Sequence, residues 1–248
     1  MTIRPSFAFL AIAAAASAAG HAHAVVVLTN GQSINLATLL ASGSDRTVEI
    51  DDKRFTFLSV TSPNLSRADF SIRAYVSATT NQWGLNDVGF DIVGPFGDFT
   101  PGNGSYSDMN IRYSVEVLPS AYAADVSLRG IGLSFDGAVS GTGAIARVDE
   151  TVMDLDNNRF LGNLSAFAAA GPPPSGIWSS SLDFVQLTGL PGFRAFEVNK
   201  NIKFLAPTDG SATATFIRQE FRQAMLPAPG AIALLGIGAV LTGGRRRR

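Results

Sequence analysis

Apolar and polar side chains alternate with a period close to two over several stretches of the chain. Ile111, Tyr113, Val115 and Val117 are interleaved with Arg112, Ser114 and Glu116, and Phe70, Ile72, Ala74 and Val76 with Ser71, Arg73, Tyr75 and Ser77. Successive side chains of an extended strand point to opposite faces, so the pattern predicts strands with one face buried. Thr47 to Asp51 and Arg54 to Val60 read as two strands reversing around Asp51-Asp52-Lys53. Phe193 to Leu205 and Ala212 to Phe221 read as a further pair around Pro207 to Gly210, with a change of apolar parity between Phe216 and Ile217 that predicts a bulge.

Turn-forming pieces recur between these strands: Gly94-Pro95, Gly97-Asp98, Pro101 to Gly104, Gly141 to Gly143, Gly171 to Gly176 and Pro191-Gly192. Only Ser33 to Ala41 and Leu161 to Ala170 read as short helices, and neither is part of a repeated strand–helix alternation. The expected fold class is therefore all-β. Residues 25–225 form a single antiparallel β-sandwich, jelly-roll or Greek-key-like, between an N-terminal signal helix and a C-terminal transmembrane sorting helix.

The ends carry a different pattern. Residues 1–24 have Arg4, an apolar stretch from Phe7 to Ala19, and the small-x-small sequence Ala22-His23-Ala24, the organisation of a secretory signal peptide cut to leave Val25 first. Residues 226–248 contain Pro227, Ala228, Pro229 and Gly230, an apolar segment to Leu241, and the basic tail Arg245, Arg246, Arg247 and Arg248. From Gly230 to Gly244 a helix would span ~22 Å, short for a ~30 Å hydrocarbon core and suited to a temporary anchor whose arginines stay with the cytoplasmic face.

This tripartite tail, joined to a signal peptide, resembles the PEP-CTERM sorting signal, a Pro-Glu-Pro motif, short membrane helix and basic terminus recognised by an exosortase in Gram-negative bacteria. Ala228 stands where the family has Glu. The resemblance implies signal peptidase and an exosortase-like protease as partners during export. It also implies a transient inner-membrane intermediate, then release to the cell surface or an exopolysaccharide matrix. The body resembles PEP-CTERM exported proteins without an assigned activity, through Val48 to Phe55, Gly141 to Val152 and Gly210 to Phe216.

Removing both ends makes the domain acidic, with 14 Lys and Arg against 20 Asp and Glu, and leaves no dense basic run for nucleic acid. The chain has no cysteine, and its two histidines, His21 and His23, lie in the signal segment. Disulfides, thiolate chemistry, histidine-ligated metals and a Ser-His-Asp triad are thereby excluded from the exported body. No phosphate-binding glycine loop or nucleophile-elbow motif occurs.

Carboxylate chemistry remains open, with Asp149, Glu150 and Glu116 as candidates. Neighbours on a strand face opposite ways, however, which separates Asp149 from Glu150. Asp154, Asp156 and Asn158 supply oxygen ligands at alternate positions, as in a calcium loop. Arg159 and Ser165 replace the Gly and Glu that an EF-hand needs, so calcium would require ligands from another loop, and a metal-free polar hairpin is the other reading. Trp83, Trp178, Tyr75, Tyr106 and Tyr122 are candidate sugar-stacking rings or partly buried strand residues. The expected function is that of a non-enzymatic, structural or adhesive protein of the cell surface or matrix, associated with exopolysaccharide and without a resident cofactor. The alternative is a carbohydrate-binding module or a carboxylate-dependent carbohydrate-active enzyme.

Overall fold

The computed structural model describes residues 25–41, 45–122, 125–171, 175–190 and 192–225. The predicted signal helix and sorting helix, including Ala22, Ala24, Pro227 to Gly230 and Arg245 to Arg248, lie outside the described residues. Among the described residues no helix is long and apolar enough to cross a membrane.

Among the described residues, fifteen strands form two sheets. In chain order they are β1 (Val26–Leu28), β2 (Ser33–Asn35), β3 (Thr47–Ile50), β4 (Lys53–Thr61) and β5 (Ser71–Thr80). Next come β6 (Asn86–Gly97), β7 (Ser107–Val117), β8 (Val126–Phe135), β9 (Ala138–Ser140) and β10 (Ile145–Asp154). The last are β11 (Arg159–Ala169), β12 (Ser175–Ile177), β13 (Ser179–Asp183), β14 (Ala195–Leu205) and β15 (Ser211–Met225). The first sheet runs β1-β3-β4-β7-β14-β10-β11-β12, and the second β13-β8-β15-β6-β5-β2 with β9 against one end of β15. Three short helices, α1 (Leu36–Leu39), α2 (Pro119–Tyr122) and α3 (Phe184–Thr188), lie between strands. This is the two-sheet sandwich that the alternation predicts.

The alternating residues bury as expected. Ile111, Tyr113, Val115 and Val117 of β7 are buried, and so are Val88, Phe90 and Ile92 of β6 in the facing sheet. Aromatic rings bridge the two layers: Phe90 lies edge-on to Phe55 and to Tyr113, each with ring centroids 5.2 Å apart. The β3–β4 reversal is a two-residue turn, with Ile50 opposite Lys53 and Asp51 in the left-handed region at φ 53°.

Four sequence expectations are corrected. The sandwich is not purely antiparallel, because β1 and β3 run parallel, Val26 facing Val48. Between them the chain crosses to the second sheet as β2, so it returns beside β1 in the same direction instead of by a hairpin. Leu161 to Ala170 is a strand, not a helix: alternate residues Leu164, Ala166 and Ala168 bury, and pairing with β10 overrides alanine's helical preference. Ser33 to Ala41 divides into β2 and a single helical turn capped by Asn35, whose Oδ1 accepts from the Ala37 N–H at 2.9 Å.

The fourth correction concerns the last two long strands, which are not partners. β14 lies between β7 and β10 in the first sheet, whereas β15 lies between β6 and β8 in the second. Both bury one face, so the connecting residues carry the chain over the edge of the core. Asp98 at the end of β6 holds that corner, its Oδ2 accepting from the Ala206 N–H at 2.8 Å. The predicted bulge is present, with the β15–β6 register shifting between Ala214 and Phe216. Asp136 satisfies its freed donors, accepting from the N–H groups of Thr215 and Phe216 at 2.8 and 3.0 Å and from the Thr215 hydroxyl. Partial burial alone would push the Asp136 carboxyl up, but these donors outweigh it and hold the group below its ordinary value.

Candidate functional site

The outward face of the second sheet collects most of the polar groups that share one surface. Cross-strand register sets Arg73, Asp91, Arg218, Ser134 and Ser179 in one row. The adjacent row reads Tyr75, Gly89, Glu220, Gly132 and Ser181. The row beyond contains Arg222, Gly130 and Asp183. The first row is locked. Asp91 is only 2% exposed and accepts from Arg73 Nη2 at 2.7 Å and from Arg218 Nε at 2.8 Å, while the Arg218 guanidinium rests 3.9 Å over the Tyr75 ring. Such bidentate, stacked arginines hold a surface rigid.

The next rows are more open. Glu220 lies across Gly132, where an added Cβ would come within 2.6 Å of Glu220 Oε1, so the glycine permits this close approach. Two depressions result. One, of about 250 Å³, is lined by Ser134, Ser179, Ser180, Ser181, Glu220 and Arg222. The other, of about 310 Å³, is lined by Asn81, Trp83, Asp87, Arg129, Arg222 and neighbouring residues. Arg222 lines both, so the two depressions are neighbours on this face and are together called the trench.

The trench combines opposed chemistries. Arg129 lies 4.9 Å over the Trp83 ring and bonds Asp183 at 2.9 Å, which holds the guanidinium on the indole face. Asp87 Oδ1 is buried without a hydrogen-bond partner among the described residues. Burial pushes the Asp87 carboxyl up, with the Arg222 charge opposing that rise. Burial also raises Glu220, and the neighbouring Asp87 raises it further against the pull of Arg222 and Arg218. The two neighbouring depressions therefore offer acceptors, donors, hydroxyls and one aromatic face on one side of the sheet.

The residues singled out from sequence do not converge in this way. Asp149 is on the outward side of β10, paired with Arg147 at 2.7 Å, whereas Glu150 is enclosed in the core, the opposite orientation that strand geometry predicts. Glu116 pairs with Arg54 at 3.0 Å on another surface. Leu155 to Asn158 form the four-residue turn of the β10–β11 hairpin, which the Asp154–Arg159 pair closes. There Asp154 is fully buried and its Oδ1 accepts from the Asp156 and Asn157 N–H groups at 3.1 and 3.3 Å, and its Oδ2 from Asn157 Nδ2 at 2.8 Å. Backbone donors thus occupy the carboxylate proposed as the first calcium ligand, and Asp156 and Asn158 are exposed on the turn. Among the described residues no group of three or more His, Cys, Asp or Glu is arranged to hold a metal ion.

The aromatic candidates are dispersed. Trp83 lines the trench and Tyr75 lies beneath Arg218, but Trp178 packs 5.8 Å from Phe135 near the β13 edge and Tyr106 lies near Lys203. Sequence reasoning missed Asp87, Arg129, Glu220 and Arg222. The alternation Glu220-Phe221-Arg222 signals that both charges share a face, but nothing local joins them to Asp87 on β6.

No family model and no curated protein matches the chain. Among solved structures it is similar to TmCBM61 in complex with β-1,4-galactotriose, at 8% identity and TM-score 0.30 over 66% of this chain and 88% of that one. It is also similar to a glycosylation-associated protein complex from Streptococcus agalactiae, at 12% identity and TM-score 0.28 over 69% of this chain and 26% of that one. A third is TmCBM27, a mannan-recognising carbohydrate-binding module, at 9% identity and TM-score 0.23 over 68% of this chain and 99% of that one. At these TM-scores the likeness assigns no ligand to this chain.

Proposed function

We propose that this chain is an exported, non-catalytic surface or matrix protein that holds polysaccharide in the trench on the second sheet. The observation that carries this reading is that Trp83 and Asp87 line one depression, Glu220 and the serines of β13 line the next, and Arg222 lines both. Sugars present hydroxyls that both donate and accept, together with apolar ring faces, so a wall of carboxylates, guanidinium and hydroxyls beside an indole is complementary to them. Delivery rests on the two terminal segments. Protein recovered from the producing cells and medium is expected to begin at Val25 and to lack Arg245 to Arg248 by mass spectrometry. An intact C-terminus would make it a membrane resident.

Binding is tested by calorimetric titration of the full mature protein with exopolysaccharide fragments from the same cells. Trp83→Ala and Arg222→Ala are each expected to weaken binding about tenfold or more, the range for a contact residue at the centre of an interface. Unchanged affinity in both variants would remove the trench from consideration. One observation favours a catalytic reading: Asp87 and Glu220 line adjacent depressions on either side of Arg222, and burial pushes both carboxyls up, Asp87 adding to the rise of Glu220. Release of reducing ends that disappears in Glu220→Gln would convert the binding site into an active site.

A further inference from the structure

A second polar group lies inside the core, away from the trench. Glu150 of β10 and Lys200 of β14 are direct cross-strand partners near the middle of the first sheet, and both side chains are 0% exposed. The Lys200 Nζ rests against Glu150 Oε1. Apolar neighbours Val148, Val152, Val198 and Ile202 are buried along the same two strands and keep the contact dry. From the facing sheet comes Gln219, also fully buried, its Nε2 donating to the Gly132 carbonyl at 2.9 Å. Tyr113, on the other side of β14, completes the set, and neither its hydroxyl nor Gln219 Oε1 has a hydrogen-bond partner among the described residues.

We propose that Lys200 and Glu150 are joined by an intramolecular amide, a covalent cross-link between β14 and β10 formed within the folded core. Holding an amine and a carboxyl in contact supplies a large effective concentration, reaching about 10⁵ M or more when the geometry is favourable. A dry interior also keeps out the water that would reverse the bond. Burial pushes the Glu150 carboxyl up and the Lys200 amine down, each partly opposed by the partner's charge. Both shifts favour the uncharged acid and uncharged amine, which are the reactants.

The step balances without an oxidant, reductant or further reactant. The Lys200 Nζ lone pair adds to Glu150 Cδ, forming the N–C bond. One C–O bond of the carboxyl then breaks, and the hydroxyl departs with an amine proton as water. The Tyr113 hydroxyl stays protonated, since burial and the nearby Glu150 charge both raise it well above its ordinary value. Among the described residues it has no hydrogen-bond partner, so its proton is free for the oxygen on which negative charge develops. In a chain with no cysteine, such a bond would do for an exported sandwich what a disulfide does elsewhere.

The test is peptide mass spectrometry of the full chain as recovered from the cells that make it. After trypsin, the expected product is a branched peptide joining the segment with Glu150 to the segment with Lys200. It should be lighter than the two together by one water and uncleaved after Lys200. Two linear peptides, with cleavage after Lys200, would overturn the proposal and leave a buried ion pair. A branch from Lys200 to Gln219 that has lost ammonia would overturn the assignment to Glu150. Because the wild-type protein gives the answer, the experiment does not depend on variants that fold poorly. In Lys200→Arg the branched peptide is expected to be absent.

Discussion

Replacing Glu150 by alanine is expected to lower the free energy of unfolding by about 3–5 kcal/mol, read as an earlier midpoint in urea denaturation. In the ion-pair state the carboxylate itself contributes little, because taking two charges out of water roughly cancels their attraction. The cost comes from what remains: a fully buried Lys200 with no anion beside it and no route to solvent. Lys200→Ala is expected to act in the same direction through an orphaned Glu150. Losses below about 1 kcal/mol in both variants would mean that water reaches the site, contrary to the enclosure described here. Replacing both residues by leucine and methionine separates the two states of the pair. For an ion pair the double variant regains most of the equilibrium stability. If the amide is present, the double variant still unfolds faster than wild type, because the tie between β10 and β14 has gone.

Phe90→Ala is the second large effect, about 3–5 kcal/mol by the same denaturation measurement. Phe90 is fully buried and packs on Phe57, with ring centroids 5.6 Å apart, in addition to Phe55 and Tyr113. These neighbours belong to the opposite sheet and are themselves held by backbone ladders, so the space left by the ring cannot close by small side-chain movements. The contrast is Phe160→Ala: that ring is 55% exposed, and its loss is expected to stay within about 0.5 kcal/mol. A small effect at Phe90 would imply that the two layers can approach each other after truncation.

Much of the candidate trench was hidden in the sequence for a definite reason. Glu220 and Arg222 are visible as same-face charges around the buried Phe221, but Asp87 and Trp83 come from the β5–β6 region, brought alongside only by sheet pairing. Asp149 and Glu150 show the converse. Strand geometry correctly separates their faces, yet it does not say which face is the interior, and the carboxylate that reads as a surface acid is the one enclosed with Lys200. Asp154 has an oxygen-rich neighbourhood in one dimension, and in three dimensions its carboxylate closes a hairpin.

Local alternation was sufficient for the all-β class, for the hairpin at Asp51 and Asp52, and for the bulge near Phe216, because strand period and turn chemistry act over a few residues. Composition likewise excludes thiol chemistry from the chain and imidazole chemistry from residues 25–248, since a missing side chain cannot be restored by folding. Strand partnership was decided only by the tertiary structure. β14 and β15 look like one hairpin, but each buries a face against the other's sheet, and the free energy of filling a common core outweighs the short loop between them. The same choice of partners brings Glu150 to Lys200 and Arg222 to Asp87, because register couples residues that are remote along the chain.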